Sequence, residues 1–600
     1  MDERDRLLQA AAAHYQAGRS DEASRCCHRV LQKAPDDPQA LLMLGALAYQ
    51  AGQSARAAAY LTRAAETAPE DPNIWNLQGL ALLMSDRAEA SEACFRKALA
   101  INPSPEAFNN LGNALKAQER MDEAAAAYRE ALALNPAYAG AHYNLGNLHR
   151  EAGKLSDAAS RFRKAVELAP GQANALASLG EVSLEMGQAD AALPLLRNAL
   201  DRMPDDADLH CSIGNAYQEV GEPAAAAEAY AAATRLNPRL ARAWYGAGCA
   251  AIDRKAYGEA VRHFEAALEI APDWAEARHN LGQSLFSLGQ VSRAVDCFRA
   301  AAAAGPPGLP RLAIAVAVPG DPRADNRSIA QDRRQWAEAD LPKAGDAAVA
   351  TPEATPGPGP LRIGYLSSFF GDHNWMKPVW GLVNQHDRRR FEIHLVSDGP
   401  ATAITHGYRE HPSDHFHDIS GMSNPSAATR IQDLQLDILV DLNGFSETGR
   451  LSLIALHPAP VVVGWFNMFA TSGTAAYDYL IADESVLPRE EEPFYTEAIR
   501  RVPGSYLSFE VSYPVPDVAP PPCVDTGRIT FGCLASQYKI TDGVIAAWSR
   551  ILDRTPGSVL LLKNARLGSA GNRAFFMARL GAHGIPADRI ILEGPSDHYR

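Results

Sequence analysis

Nine prolines in the first half of the chain, Pro35, Pro69, Pro103, Pro136, Pro170, Pro204, Pro238, Pro272 and Pro306, recur every 34 residues with one interval of 33. A proline cannot donate to the preceding helical turn and pushes the residue before it out of the helical region, so each interval ends a helix alike. Counting back 24 residues from each proline after the first, a glycine recurs: Gly45, Gly79, Gly112, Gly146, Gly180, Gly214, Gly248 and Gly282. Eight residues back, a ring recurs at Phe95, Tyr128, Phe162, Tyr230, Phe264 and Phe298, and five back stands a small residue such as Ala98 or Ala131. Small residues let two helices approach, and the ring fills the space beside them.

A helix, a turn and a second helix in 34 residues is the tetratricopeptide (TPR) pattern. Nine such units, residues 1–306, predict an all-α right-handed superhelix in which neighbours share a continuous core.

With 71 acidic against 57 basic residues and a net charge of -14, the chain offers a nucleic acid no overall electrostatic support. The eight cysteines include no CxxC pair and read as reduced core residues. The opening MDERDRLLQA is charged at once, and no run approaches the roughly 20 apolar residues of a membrane span. A cytoplasmic protein without membrane insertion is expected.

After Pro306 the period ends. Residues 307–360 are rich in Pro, Ala and charge and read as an extended linker holding one short helix near residues 329–339. From Leu361, short apolar segments alternate with helical ones (LRIGYLSS, WGLVNQH, FEIHLVSD, DILVDLN, VVVGWF, YLIAD), the pattern of a parallel sheet covered on both faces. Residues 361–510 are read as one Rossmann-like half, residues 511–527 as a Pro-rich connection, and residues 528–600 as the start of a second half. That second half holds RITFGCL, SVLLLKN and RIILEGP with helices near 542–552 and 571–583. Three strands where such folds have about six predict a truncated second half. The expected fold is thus a TPR solenoid followed by an α/β region of two Rossmann-like halves, the second incomplete, with ligands held between them at the carboxyl ends of the strands.

Three segments could carry chemistry. His373 lies in SSFFGDHNW, the loop after the first parallel strand, and is its one group titrating near neutral pH. Residues 470–473, ATSG, form a small loop whose N–H groups and hydroxyls, from Thr471, Ser472 and Gly473, suit an anion. Lys539, in CLASQYKITDG, stands between a strand and a helix start, where charge and helix dipole both favour phosphate. There is no Walker loop, zinc spacing or GxSxG. Among His406, His411, His415 and His417, the alternation of HFHDIS accounts for His415 and His417 sharing a face, and no metal is expected.

Taken in order, the repeats, the linker and then LRIGYLSSFFGDH, DILVDLNGF, GRLSLIALHPAPVVVGW, ATSG, DYLIADE and FGCLASQYKI resemble the protein O-GlcNAc transferase/SPINDLY family. The resemblance implies a GT-B glycosyltransferase that moves a sugar from a nucleotide diphosphate to Ser or Thr hydroxyls of proteins, with inversion and without metal or other cofactor. UDP-GlcNAc is the simplest donor it implies. By the same resemblance, His373 lies at the donor sugar and acceptor, Lys539 binds the leaving diphosphate with Tyr538 before it, and Arg450 lines the cleft beside Thr471, Ser472 and Gly473. This sequence departs from the family where Phe369 replaces an Asp, Asn374-Trp375 a Pro-Thr, Asn467 a member of the sugar loop, His457 an Arg and Ser536 a Gln.

In the repeats, Asn110, Asn144 and Asn280 recur two residues before the glycine, and Asn113, Asn147 and Asn215 just after it. An amide offers both donor and acceptor, so such a ladder can clamp an extended peptide without reading its side chains. The resemblance implies that use for protein acceptors, and oligomerisation stays open. Two alternatives stand beside the O-GlcNAc reading. One is the same transfer with fucose or a nonulosonic acid, for example onto flagellin. The other is a non-catalytic TPR adaptor with a decayed transferase region.

Overall fold

A computed structural model describes residues 2–342, 359–371, 376–399, 407–468, 470–507, 520–521 and 523–595. The chain divides into two compact units, Met1–Pro238 and Arg239–Arg600.

The described residues of the first unit form fourteen helices in consecutive pairs, from Glu3–Gln16 and Ser20–Lys33 to Ala207–Glu219 and Pro223–Leu236. The repeat prolines fall just past the second helix of each pair, as Pro35 does after Ser20–Lys33. The next helix then starts on its own cap. Asp37 accepts from the N–H groups of Gln39 and Ala40 while Pro38 takes the first turn, and Ser104 with Pro105 repeats the device.

The periodic glycines have one cause. A Cβ on Gly79 would lie 2.5 Å from the Phe95 ring, one on Gly146 2.7 Å from Phe162, and one on Gly180 2.6 Å from Leu196. Each glycine is the floor on which the large side chain of the next helix rests, and Phe95, Tyr128, Phe162 and Tyr230 are accordingly buried. Full burial of each such side chain contributes about 2 kcal/mol.

The second unit begins with two more pairs, Ala241–Asp253 with Tyr257–Ile270 and Ala275–Ser287 with Val291–Ala304, built on the same contacts between Gly248 and Phe264 and between Gly282 and Phe298. The segment expected to be an extended linker with one short helix near 329–339 holds two helices: Asn326–Asp340, which contains the expected one, and Gly308–Ala317, which was not expected. A capping box of Asp325 and Ser328 starts the second helix, and Ile329, Ala330, Arg333, Trp336 and Ala337 form its buried stripe. Composition averaged over the segment hid that periodicity. The remainder of the linker, residues 343–358, lies outside the described residues.

Seven parallel strands follow: β1 Leu361–Ser367, β2 Phe391–Ser397, β3 His415–Asp418, β4 Ile438–Asp441, β5 Val461–Gly464, β6 Tyr479–Ala482 and β7 Ala498–Arg501. They pair in the order β3-β2-β1-β4-β5-β6-β7. Apolar clusters lie on both faces, one holding Leu366, Val396, Leu439 and Val462 and the other Tyr365, Ile393, Leu395 and Val440. Of the Pro-rich connection, Cys523–Thr526 forms a single helical turn, and residues 508–519 and 522 lie outside the description. A second parallel sheet, β10-β9-β8, comprises β8 Thr530–Cys533, β9 Val559–Lys563 and β10 Ile590–Glu593, with helices Asp542–Arg554 and Ala570–Ala582 between them.

None of the eight cysteines is in a disulfide, and Cys27, Cys94 and Cys211 are buried as expected of core residues. Cys523 departs from that expectation: it is exposed, on a helical turn with no buried residue. No helix among the described residues is long and apolar enough to cross a membrane.

Candidate functional site

Strand order alone selects the place. The chain winds outward from β1 through β2 to β3, then returns to begin again at β4 on the other side of β1. In such a sheet the crevice opens at the carboxyl ends of the two strands where the winding reverses, here β1 and β4.

Asp441, the last residue of β4, is buried and organises that crevice. Its carboxylate accepts from the N–H groups of Asn443 and Gly444, both at 3.0 Å, and from the Tyr477 hydroxyl at 2.6 Å. Burial raises its pKa, against the opposing pull of the Tyr477 hydrogen bond. Gly444 has φ +50, and a Cβ there would meet the Asn467 carbonyl at 2.8 Å, so the turn admits only glycine. Asn443 then bridges the two strands: its Oδ1 accepts from the Ser368 N–H at 2.8 Å. Its buried Nδ2 has no partner among the described residues.

Beside this bridge lies Asp398, just past β2. It accepts from the Ser368 hydroxyl at 3.4 Å and from the Arg450 guanidinium. Arg450, expected to line the cleft, reaches the crevice floor but is 9% exposed and fully engaged. It also donates to the Met422 and Ile419 carbonyls and to Asn424 Oδ1. Its geometry is that of a clasp holding the loop after β3 to the end of β2.

His373 lies outside the described residues, as do Asn374 and Trp375. The residues that flank it are firmly held. Phe370 is buried and stacks on Trp380 with ring centroids 5.6 Å apart, and Met376 is wholly buried. Both flanks follow the carboxyl end of β1, the strand that borders the crevice.

The ATSG loop is already satisfied from within. Glu497 accepts from the Ser472 N–H at 2.6 Å and from the Thr471 hydroxyl at 2.8 Å, so a protein carboxylate occupies the position where an external anion was expected. Behind the loop, Arg333 donates to the Thr471 carbonyl at 2.6 Å and lies 3.8 Å from the Phe445 ring centroid. A Cβ on Gly473 would meet Arg333 Cβ at 2.6 Å, so this glycine exists for the approach of the helix Asn326–Asp340.

Lys539 ends the short turn Gln537–Lys539 after β8 and is exposed, its Nζ 5.7 Å from the Tyr538 ring. The helix Asp542–Arg554 starts just beyond it under the Thr541 cap, so its N-terminal dipole and the Lys539 ammonium stand at the same end of the sheet. The Tyr538 ring also stacks on Phe286 of the last repeat, centroids 5.5 Å apart and planes 11° apart. Asn572 adds a second fastening, donating to the Lys255 carbonyl at 2.8 Å and accepting from the Gly258 N–H at 3.1 Å. The second sheet is therefore bolted to the last two repeats.

The ladder asparagines bond locally, within a repeat or to the neighbouring one. Asn110 donates to Asn76 at 3.0 Å, Asn144 to Asn109 and Asn113 at 2.9 and 3.1 Å, and Asn280 to the Tyr245 hydroxyl at 3.1 Å. Asn113 and Asn215 accept from the Tyr128 and Tyr230 hydroxyls, both at 2.7 Å. Asn147 is partly buried on the same helix as Asn144. Each amide still has unused lone pairs or protons for a peptide backbone.

Sequence reasoning missed Asp398, Asp441, Asn443, Tyr477, Glu497 and Arg333. Asp398, Asp441 and Asn443 carried a legible signal, since each stands at the end of a predicted strand. Glu497 and Arg333 carried none, because their partners are distant in sequence.

Residues 347–511 match the family Glycosyl transferase family 41, and residues 14–81, 149–210 and 251–317 match the tetratricopeptide repeat. The chain therefore carries TPR repeats joined to a glycosyl transferase family 41 domain, and it is homologous to SPINDLY and O-GlcNAc transferase proteins. Over 253 residues it is 30% identical to the Arabidopsis thaliana protein named "Probable UDP-N-acetylglucosamine--peptide N-acetylglucosaminyltransferase SEC", covering 40% of this chain and 26% of that one. It is 29% identical over 237 residues to the Arabidopsis thaliana protein of the same enzyme name called SPINDLY, covering 39% and 26%. The chain thus spans about a quarter of the length of these curated relatives. Among solved structures, a point mutant of the Thermobaculum terrenum O-GlcNAc transferase aligns with TM-score 0.52 and 25% identity, over 65% of this chain and 75% of that one.

Proposed function

We propose that this chain is a protein O-glycosyltransferase of the cytoplasm, which moves GlcNAc from UDP-GlcNAc to Ser or Thr hydroxyls of proteins held in the repeats. The supporting observation is the family 41 match over residues 347–511, which contains the β1/β4 crevice with Asp441 and Asn443 and the loop that carries His373.

The acceptor hydroxyl attacks the anomeric carbon as the bond to the diphosphate breaks, so configuration inverts. The hydroxyl proton leaves to a base, for which His373 is suited by type and by loop. Negative charge grows on the departing diphosphate, and a cation placed there lowers the transition state more than the ground state. Lys539 and the N-terminus of the helix Asp542–Arg554 supply that charge without a metal ion. Acceptor peptides lie along the asparagine face, clamped through their backbones.

Incubating the full chain with UDP-GlcNAc and cell lysate should add the mass of N-acetylhexosamine to Ser or Thr. Lys539→Ala should cut the rate by about 100-fold, the usual cost of losing a charge-stabilising donor. Transfer that survives loss of both His373 and Lys539 would sink this mechanism. Because Phe369 and Asn467 replace the family's residues near the sugar, GDP-fucose belongs in the donor panel, and transfer from it alone would reassign the donor.

A further inference from the structure

β2 and β3 pair in parallel with His394 opposite His415 and Val396 opposite His417. Side chains alternate along a strand, so Glu392, His394, His415 and His417 share one face of the sheet. Glu392 Oε1 lies 3.2 Å from His394 Nε2 and 3.2 Å from His415 Nε2. One ligand atom from each of the three residues falls within 4.8 Å of the other two. An ion with tetrahedral bonds of about 2.1 Å holds its ligand atoms about 3.4 Å apart, so little movement separates this cluster from a closed site.

The surroundings fit the same geometry. His394 Nδ1 is 3.0 Å from His417 Nε2, so His417 can accept the Nδ1 proton and leave the His394 Nε2 lone pair for an ion. Arg362 Nε lies 3.5 Å from Glu392 Oε2, the oxygen other than the one that meets the histidines. The His415 side chain is 49% exposed, which gives an ion a route from solvent and a water for its fourth position. The edge strand has need of such a ligand, since His415–Asp418 contributes four residues and none is buried.

We propose that Glu392, His394 and His415 bind one divalent transition-metal ion of the zinc type, which pins edge strand β3 to β2. Glu392 and His394 sit in the first four residues of β2 and His415 opens β3, so the site lies toward the amino ends of the strands. The sugar-transfer crevice opens at the other ends. The ion is structural and takes no part in the proposed reaction, so either inference can fail without the other.

The test uses tag-free full chain loaded with Zn²⁺, freed of excess and assayed for retained metal, with Co²⁺ as a spectroscopic probe. One equivalent per chain is expected, with a tetrahedral Co²⁺ absorption band and a raised thermal midpoint. His415→Ala, at an exposed position that leaves the fold intact, should abolish retention, as should Glu392→Gln. His417→Gln should weaken affinity by about 10-fold or more through the lost Nδ1 partner. Failure of the chain to retain stoichiometric metal overturns the proposal. Full retention in both the His415→Ala and Glu392→Gln variants, with unchanged circular dichroism, overturns it equally.

Discussion

Arg333 donates through Nη1 to the Thr471 carbonyl at 2.6 Å and through Nε to the Ala315 carbonyl at 3.0 Å. One guanidinium, 1% exposed, thereby joins both helices of the expected linker to the ATSG loop. Burial pulls its pKa down to about 9 while Glu497 pulls the other way, yet it stays charged at neutral pH. Arg333→Met removes the charge and strands two buried carbonyls. A loss of about 3 kcal/mol is expected in the unfolding transition of the second unit, read by tryptophan fluorescence in urea. An unchanged midpoint would show that the helices dock without this contact.

In the first unit, Gly79→Val tests the floor beneath Phe95. Its Cβ would lie 2.5 Å from the ring, so the helix pair must separate, at about 1–3 kcal/mol. Gly52, whose φ is +69 and where an added Cβ would meet nothing within 4 Å, provides the contrast. Gly52→Asn, a residue that tolerates the left-handed region, should cost under about 1 kcal/mol. Thermal unfolding by circular dichroism distinguishes the two, and equal losses would refute the packing explanation.

Tyr477→Phe removes one of the three donors to the Asp441 carboxylate and leaves the other two. Because the hydroxyl stabilises the charged form, its loss should raise the Asp441 pKa further and cost about 1–2 kcal/mol. Infrared titration of the carboxyl band reads the first effect and urea unfolding the second. A downward pKa shift is the contrary outcome.

The pH dependence follows from His386, which pairs with the Tyr365 hydroxyl at 2.7 Å. Burial lowers its pKa from 6.5, Arg388 adds to that shift, and Asp414 opposes it. A depressed pKa means the unfolded state takes up the proton first. The contribution to stability is therefore complete above pH 6.5 and is lost as pH falls below it. His386→Gln should flatten the fall in urea midpoint on the acid side of 6.5. An equally steep fall in the variant assigns the acid sensitivity elsewhere.

How far the sequence could be read depended on the range of each contact. The repeats were legible because every contact in them is local and periodic: Gly79 meets Phe95 and Gly146 meets Phe162 at the same spacing. Strand ends were legible too, and Lys539 stands between β8 and a capped helix. The helix Asn326–Asp340 was legible only in part, since a Pro-rich neighbourhood masked its stripe.

What the sequence determined by itself is the solenoid and the parallel α/β character of the region after Leu361, because helix stops, caps and hydrophobic periods act over a few residues. What only the tertiary structure decided is which polar groups are free to act. Thr471 and Ser472 look open in the sequence, but Glu497, 26 and 25 residues away, takes their hydrogen bonds. His394 and His415 look unrelated until β2 pairs with β3 and sets their rings 4.8 Å apart. A side chain's chemistry depends on its neighbours' charge and on its burial, and sheet pairing across long intervals supplies both.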